Sequence, residues 1–191
     1  MDGRELRGEA LNQMRTAVCP GTYDPVTNGH VDVIGRAARI FDRVVVGVVG
    51  TPVHKAPLFP IEERVALLHE VLEPFENVVV DVLTELVVEF ARRWDARALV
   101  KGLRVVSDFE YEFQMNQLNR HLAPEIETVY VMASPQVSFV SSSGVKEVAS
   151  FAGNVEALVP PVVARRLEER YRSSQLSVDG PDEEDRMRRI G

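Results

Sequence analysis

Five short runs rich in valine and other apolar residues punctuate this chain, and segments with helical periodicity lie between them. The runs are Thr16–Cys19, Arg43–Val49, Val78–Val82, Ala98–Val100 and Thr128–Met132. Apolar residues occupy consecutive positions in them rather than every second one, the pattern of strands buried on both faces of a parallel sheet. The helical segments are Val31–Phe41, Ile61–Leu72, Glu85–Trp94, Phe109–His121, Gly144–Phe151 and Pro161–Tyr171. In the second of these, Val65, Leu68 and Leu72 recur at the spacing of one helix face. Strand and helix alternate, which implies right-handed crossovers and a single doubly wound α/β domain around a five-stranded parallel sheet. Sheets of that kind take ligands beyond the carboxyl ends of their strands, where strand order reverses.

Composition narrows this picture at the edges. A length of 191 residues suits one domain, and 45% hydrophobic with 27% charged residues is ordinary for a globular protein. Met14 directly precedes the first run, so residues 1–13 read as an extension outside a domain spanning 14–172. From Ser173 to Gly191 the chain is polar, and a disordered tail is expected. A net charge of −7 argues against a general grip on nucleic acid, so an anionic ligand needs a local basic cluster. The single cysteine, Cys19, excludes an internal disulfide and reads as a core residue. No run of about 18 apolar residues is present to span a membrane. The first residues lack the apolar centre of a signal peptide, and the chain reads as cytoplasmic.

Four segments fall at carboxyl ends of strands. The first is Pro20-Gly21-Thr22-Tyr23-Asp24-Pro25-Val26-Thr27-Asn28-Gly29-His30. It combines a hydroxyl, a turn and a helix start near His30, and a helix start offers unpaired N–H groups and a positive end suited to phosphate. A capping histidine without a ligand fits the same residues. The second segment, Thr51 to Phe59, carries Lys55 between two prolines, either to aim a cation or simply to solvate one. The third places Lys101 and Arg104 around Gly102 and Leu103, followed by Asp108, Glu110 and Glu112. An oligo-anion or local ion pairs would account for those cations equally. The fourth, Val137 to Lys146, brings Ser141, Ser142 and Ser143 into a helix start, for capping or for a triphosphate. Neither a P-loop nor a G-x-G-x-x-G fingerprint occurs, so a nucleotide would need another phosphate cradle.

Together these segments resemble the nucleotidylyltransferase superfamily, with its strand-to-helix Thr/His motif and its late serine-rich motif. More closely, the chain is similar to the bacterial phosphopantetheine adenylyltransferases from about Met14 to about Tyr171. Pro20 to His30 corresponds to that family's first motif. Lys101-Gly102-Leu103-Arg104 with Asp108-Phe109-Glu110-Tyr111-Glu112 corresponds to its middle signature, and Ser138-Phe139-Val140-Ser141-Ser142-Ser143 to its last. The resemblance implies a Rossmann-like nucleotidylyltransferase fold. It implies reversible transfer of an adenylyl group from ATP to 4′-phosphopantetheine, giving dephospho-coenzyme A and pyrophosphate. It also implies Mg2+ travelling with the triphosphate, a homohexamer of two trimers, and coenzyme A as a feedback inhibitor.

The residues suit that chemistry. The attacking phosphate monoester is largely dianionic at neutral pH, its second pKa being about 6, so no general base is required. Two anions must be held in line, with donors and cations on the phosphate where charge redistributes. By the resemblance, Thr22 touches both substrates and His30 stabilises the α-phosphate in the transition state. Lys55, Lys101 and Arg104 complete the catalytic set. Tyr23, His30, Gly102, Leu103, Arg104, Glu112 and the run Val137, Ser138, Phe139, Val140, Ser141, Ser142 and Ser143 bind ATP. Lys55, Val87, Lys101 and Asn119 bind the phosphopantetheine. The sequence departs from the family at three points. Counting back from Phe59 selects Lys55 as the loop cation, while counting forward from Thr51 selects His54. Position 101 is Lys where Arg is also frequent, a point charge in place of a fork. Val137 replaces a bulkier aromatic, which loosens packing on the adenine side. The competing readings are a related transfer using nicotinamide mononucleotide or CTP, and a nucleotide-binding module without catalysis.

Overall fold

All five apolar runs become strands of one parallel sheet in the computed structural model, which describes residues 14–50 and 56–178. In chain order the elements are β1 (Thr16–Gly21), α1 (Asn28–Ala38), β2 (Arg43–Val49), α2 (Ile61–Leu72), β3 (Val78–Leu83) and α3 (Val87–Arg93). They continue with β4 (Ala98–Leu103), α4 (Val106–Leu122), β5 (Glu127–Met132), α5 (Ser142–Ser150) and α6 (Pro161–Val178). Successive strand residues point to opposite faces. Ala17, Cys19, Val44, Val46 and Val100 therefore enter one apolar layer, shared with α1, α2, α5 and α6, while Val18, Val45 and Leu99 enter another with α3.

Strand order is β3-β2-β1-β4-β5, which reverses direction between β1 and β4. Register shows why a crevice opens there. β1 pairs with β2 from Thr16↔Arg43 to Gly21↔Val48, but with β4 only at Ala17↔Ala98 and Val18↔Leu99. Pro20 lies just beyond the last of these pairs and has no N–H to extend a ladder. Helix α1 packs hard against the β4 side of the gap. A Cβ on Gly102 would stand 2.9 Å from Val33 Cγ2, so this approach requires glycine.

Two of the boundaries that differ from the sequence expectation bear on the site and on the tail. β4 runs on through Leu103, which makes Lys101 and Gly102 strand residues. Helix α6 runs on through Val178, so residues 173–178 are helical rather than part of a polar tail. Ser173 fits there because its hydroxyl donates to the Glu169 carbonyl one turn back. The expectations for residues 1–13 and 179–191 lie outside the described residues.

Candidate active site

The exit from β1 is built around Tyr23. At φ 51° its backbone takes a left-handed turn, and the side chain folds back over the strand. Its hydroxyl donates to the Cys19 carbonyl at 2.8 Å, and its ring covers Gly21, where a Cβ would come within 2.9 Å of it. The Tyr23 ring also meets His30 edge-on at 5.0 Å. Helix α1 then starts with a capping box: Thr27 Oγ1 accepts the His30 N–H, and His30 Nδ1 accepts the Thr27 N–H at 3.0 Å. A backbone N–H only donates, so Nδ1 carries no proton and the neutral ring holds its proton on Nε2. Burial pulls the His30 pKa down to about 4, and the charge of Arg104 pushes the same way. At pH 7 His30 is a neutral N–H donor with fixed orientation.

Three cations line the same cleft, each held by a carboxylate. Lys101 lies 3.2 Å from Glu112 on α4. Arg104 forks onto Asp108 at 3.1 and 3.2 Å and donates from Nη1 to the Val140 carbonyl at 3.0 Å. Burial works against the charge on Asp108, yet bonds from Arg104 hold its carboxyl below the usual range. Lys146, in the second turn of α5, lies 2.6 Å from Asp24. Asp24 is buried and also accepts the N–H groups of Leu58 and Phe59, both at 2.9 Å. The N-terminus of α5 is capped by Ser141, which accepts the Gly144 N–H, and Ser142 donates to the Pro25 carbonyl at 2.8 Å. The N-termini of α1 and α5 thus open together into a cleft of about 450 Å³.

Of the residues expected from the sequence, Thr22, Tyr23, His30, Lys101, Gly102, Arg104, Glu112, Val140, Ser141, Ser142 and Ser143 line this cleft. The Tyr23 hydroxyl is committed to the fold through Cys19. Leu103 is buried, and Val137, Ser138 and Phe139 form the turn before α5 outside the lining, with Phe139 72% exposed. Val87 opens α3 and packs on the second apolar layer, and Asn119 lies near the end of α4; neither lines the cleft. Lys55 and its alternative His54 lie outside the described residues. Cys19 is a core residue, its thiol pushed up to about 12 by burial.

Sequence reasoning gave no role to Lys146, Asp32 or Arg64. Asp32 on α1 accepts the N–H and hydroxyl of Ser134 at 3.0 and 2.8 Å, tying α1 to the segment after β5. For Lys146 the signal lay in the serine motif itself, which it closes. For Arg64 it lay in the helix spacing, since Arg64, Leu68 and Leu72 fall four apart on the buried face.

A donor that stays neutral, three cations and two helix N-termini make a cradle suited to phosphate without a P-loop. On a sheet of this order the cradle sits at the carboxyl ends of the strands where their order reverses, the usual place for a ligand, and its groups suit the phosphates of a nucleotide. Residues 18–148 match the family described as cytidylyltransferase-like. A phosphopantetheine adenylyltransferase of Caldanaerobacter subterraneus subsp. tengcongensis is 50% identical over 161 residues, covering 84% of this chain and 100% of that relative. One from Desulforudis audaxviator is 53% identical over 158 residues, covering 83% and 96%. The chain belongs to the phosphopantetheine adenylyltransferase family. A solved structure described as a nicotinate-nucleotide adenylyltransferase from Vibrio parahaemolyticus shares the fold, with a TM-score of 0.64 at 15% identity over 84% of this chain and 96% of that one.

Proposed function

We propose that this chain transfers the adenylyl group of ATP to 4′-phosphopantetheine, reversibly, by direct in-line attack. An oxygen of the acceptor phosphate forms a bond to the α-phosphorus as the bond to the bridging oxygen breaks, and that oxygen leaves with pyrophosphate. The observation that carries the reading is the β1/β4 cleft, where neutral His30 and three ion-paired cations meet the N-termini of α1 and α5. The attacking group brings its own charge, so a site without a poised base suits it. Nδ1 of His30 is occupied by the Thr27 N–H, and the buried Cys19 thiol stays protonated. In this reading the Nε2–H of His30 donates to a non-bridging oxygen of the α-phosphate, a donor already oriented before reaction. Arg104, Ser141, Ser142, Ser143 and the end of α5 hold the ATP phosphates. Thr22 and Lys101 hold the acceptor phosphate in line. Gly102, Leu103, Glu112 and the turn from Val137 to Val140 bound the nucleotide, and Lys55, Val87 and Asn119 follow the acceptor's arm.

Among the described residues no group of three His, Cys, Asp or Glu side chains is placed to hold a metal. The cleft carboxylates Asp24, Asp108 and Glu112 are each engaged by a cation. That donor set fits Mg2+ arriving on the triphosphate with phosphate oxygens and water as its ligands. The chemistry it supplies when bound is neutralisation of phosphate charge.

The same reading includes a cytoplasmic homohexamer of two trimers, inhibited by coenzyme A at the acceptor site. Helix α4 supports association between copies: none of its residues is buried, and it exposes Phe109, Tyr111, Phe113, Leu118 and Leu122. Light scattering checks the hexamer. Pyrophosphate release checks the reaction, with ATP or CTP paired against 4′-phosphopantetheine or nicotinamide mononucleotide. Turnover is expected with ATP and 4′-phosphopantetheine. Preference for CTP, or tight ATP binding without turnover on any acceptor, would overturn the reading.

A further inference from the structure

Two charged side chains among the described residues are buried, Asp24 and Arg64. Asp24 belongs to the cleft, whereas Arg64 forms none of the ion pairs among the described residues. It stands on α2 at 1% exposure, where Leu67, Leu68 and Leu72 continue the same buried face. Its guanidinium donates to four backbone carbonyls. Nη1 reaches Thr22 and Val49, both at 2.8 Å, Nη2 reaches Gly50 at 3.0 Å, and Nε reaches Phe59 at 3.1 Å. Thr22 follows β1, Val49 ends β2, and Gly50 and Phe59 lie on the connection from β2 to α2. One planar group therefore ties the carboxyl ends of two adjacent strands to the start of the next helix. Asp24 holds the same connection by taking the N–H groups of Leu58 and Phe59.

The carbonyls explain how the charge is accommodated, but not why an ion stands there. Stripping a guanidinium of water is costly, and an apolar residue would complete the α2 face without that cost. What arginine alone offers is a rigid fork that meets carbonyls in several directions at once. It also sets a permanent positive charge directly behind the Thr22 peptide, on the wall of a cleft suited to anions.

We propose that Arg64 is a positioning residue for adenylyl transfer: it locks the Thr22 peptide against the end of β2, which keeps the two phosphates in line, and it adds positive charge behind that wall of the cleft. The inference rests on the reading of the cleft as the site for ATP and the acceptor phosphate. Arg64 acts through the Thr22 carbonyl and does not itself touch substrate.

The test compares wild type with Arg64→Lys and Arg64→Ala, measuring thermal unfolding and steady-state pyrophosphate release per folded molecule. Both substitutions lower Tm under any role, so kcat decides. We expect kcat to fall about 100-fold, the scale of a 1 Å misplacement, while KM for ATP moves by less than about threefold. Added methylguanidinium should restore part of kcat to Arg64→Ala and leave wild type unchanged. A kcat per folded molecule within about threefold of wild type in Arg64→Lys would overturn the proposal, since a lysine cannot reproduce the fork. If Arg64→Ala does not fold, Arg64→Lys decides by the same criterion. An inactive wild type sinks the functional reading and this inference together. An active wild type with unaffected variants sinks the inference alone.

Discussion

His30 has two ring nitrogens with separate duties, and two amide substitutions separate them. Nδ1 accepts the Thr27 N–H and completes the α1 cap, while Nε2–H is the donor to the α-phosphate in the proposed reaction. His30→Asn places an amide oxygen near the position of Nδ1, so the cap acceptor survives and the donor is lost. His30→Gln extends an amide N–H to the reach of Nε2, and without substrate the same amide serves the cap, glutamine being a usual third residue of a capping box. Loss of a cap of this kind costs about 1 kcal/mol, which is roughly 2–4 °C in Tm for a chain of this size. Loss of one oriented donor to transition-state charge costs about 100- to 1,000-fold in kcat, or ~2.7–4 kcal/mol. His30→Asn and His30→Gln should both hold Tm within that margin, but only His30→Gln should keep much of its kcat. Thermal unfolding by circular dichroism and pyrophosphate release at saturating ATP and 4′-phosphopantetheine measure the two arms. A His30→Asn enzyme with kcat within about tenfold of wild type would refute the donor role.

Two further outcomes follow from packing and from protonation. Gly102→Ala inserts a methyl group 2.9 Å from Val33 Cγ2 and should cost about 1–3 kcal/mol by urea unfolding. Adding Val33→Ala should recover most of that, whereas simple additivity of the two losses would exclude the contact as the cause. His30 titrates at about 4 in the fold against 6.5 otherwise, so between those values the unfolded chain binds the extra proton. Its effect is to erode stability as pH falls from about 6.5 to about 4 and to level off below. His30→Asn should flatten that limb relative to wild type, and parallel curves would contradict the neutral assignment.

Much of the fold was legible because its determinants are local. Runs such as Arg43–Val49 are apolar on adjacent positions, and only a sheet covered on both faces buries them all. The first and last motifs were legible for the same reason: Thr27 caps His30 and Ser141 caps Gly144 within one turn each. What escaped depends on distant partners. Nothing near Lys146 announces that Asp24, far away in sequence, holds it. Arg64 read as part of an ordinary amphipathic helix because its four acceptors are backbone carbonyls, which every residue carries and no sequence pattern marks. The continuation of α6 past Ser173 was missed because a polar composition does not by itself end a helix.

The paired cations of the cleft also set a threshold for what enters it. Lys101, Arg104 and Lys146 each already have a counter-ion in Glu112, Asp108 or Asp24. A chloride or a lone inorganic phosphate meets a neutralised partner and gains little by displacing one carboxylate. In the proposed reaction ATP and the acceptor phosphate together engage Arg104 and Lys101, which a single small anion cannot do. On that reading the cleft selects by the number of charges before any base or pantetheine arm is read, and a net charge of −7 on the chain discourages stray anions from it.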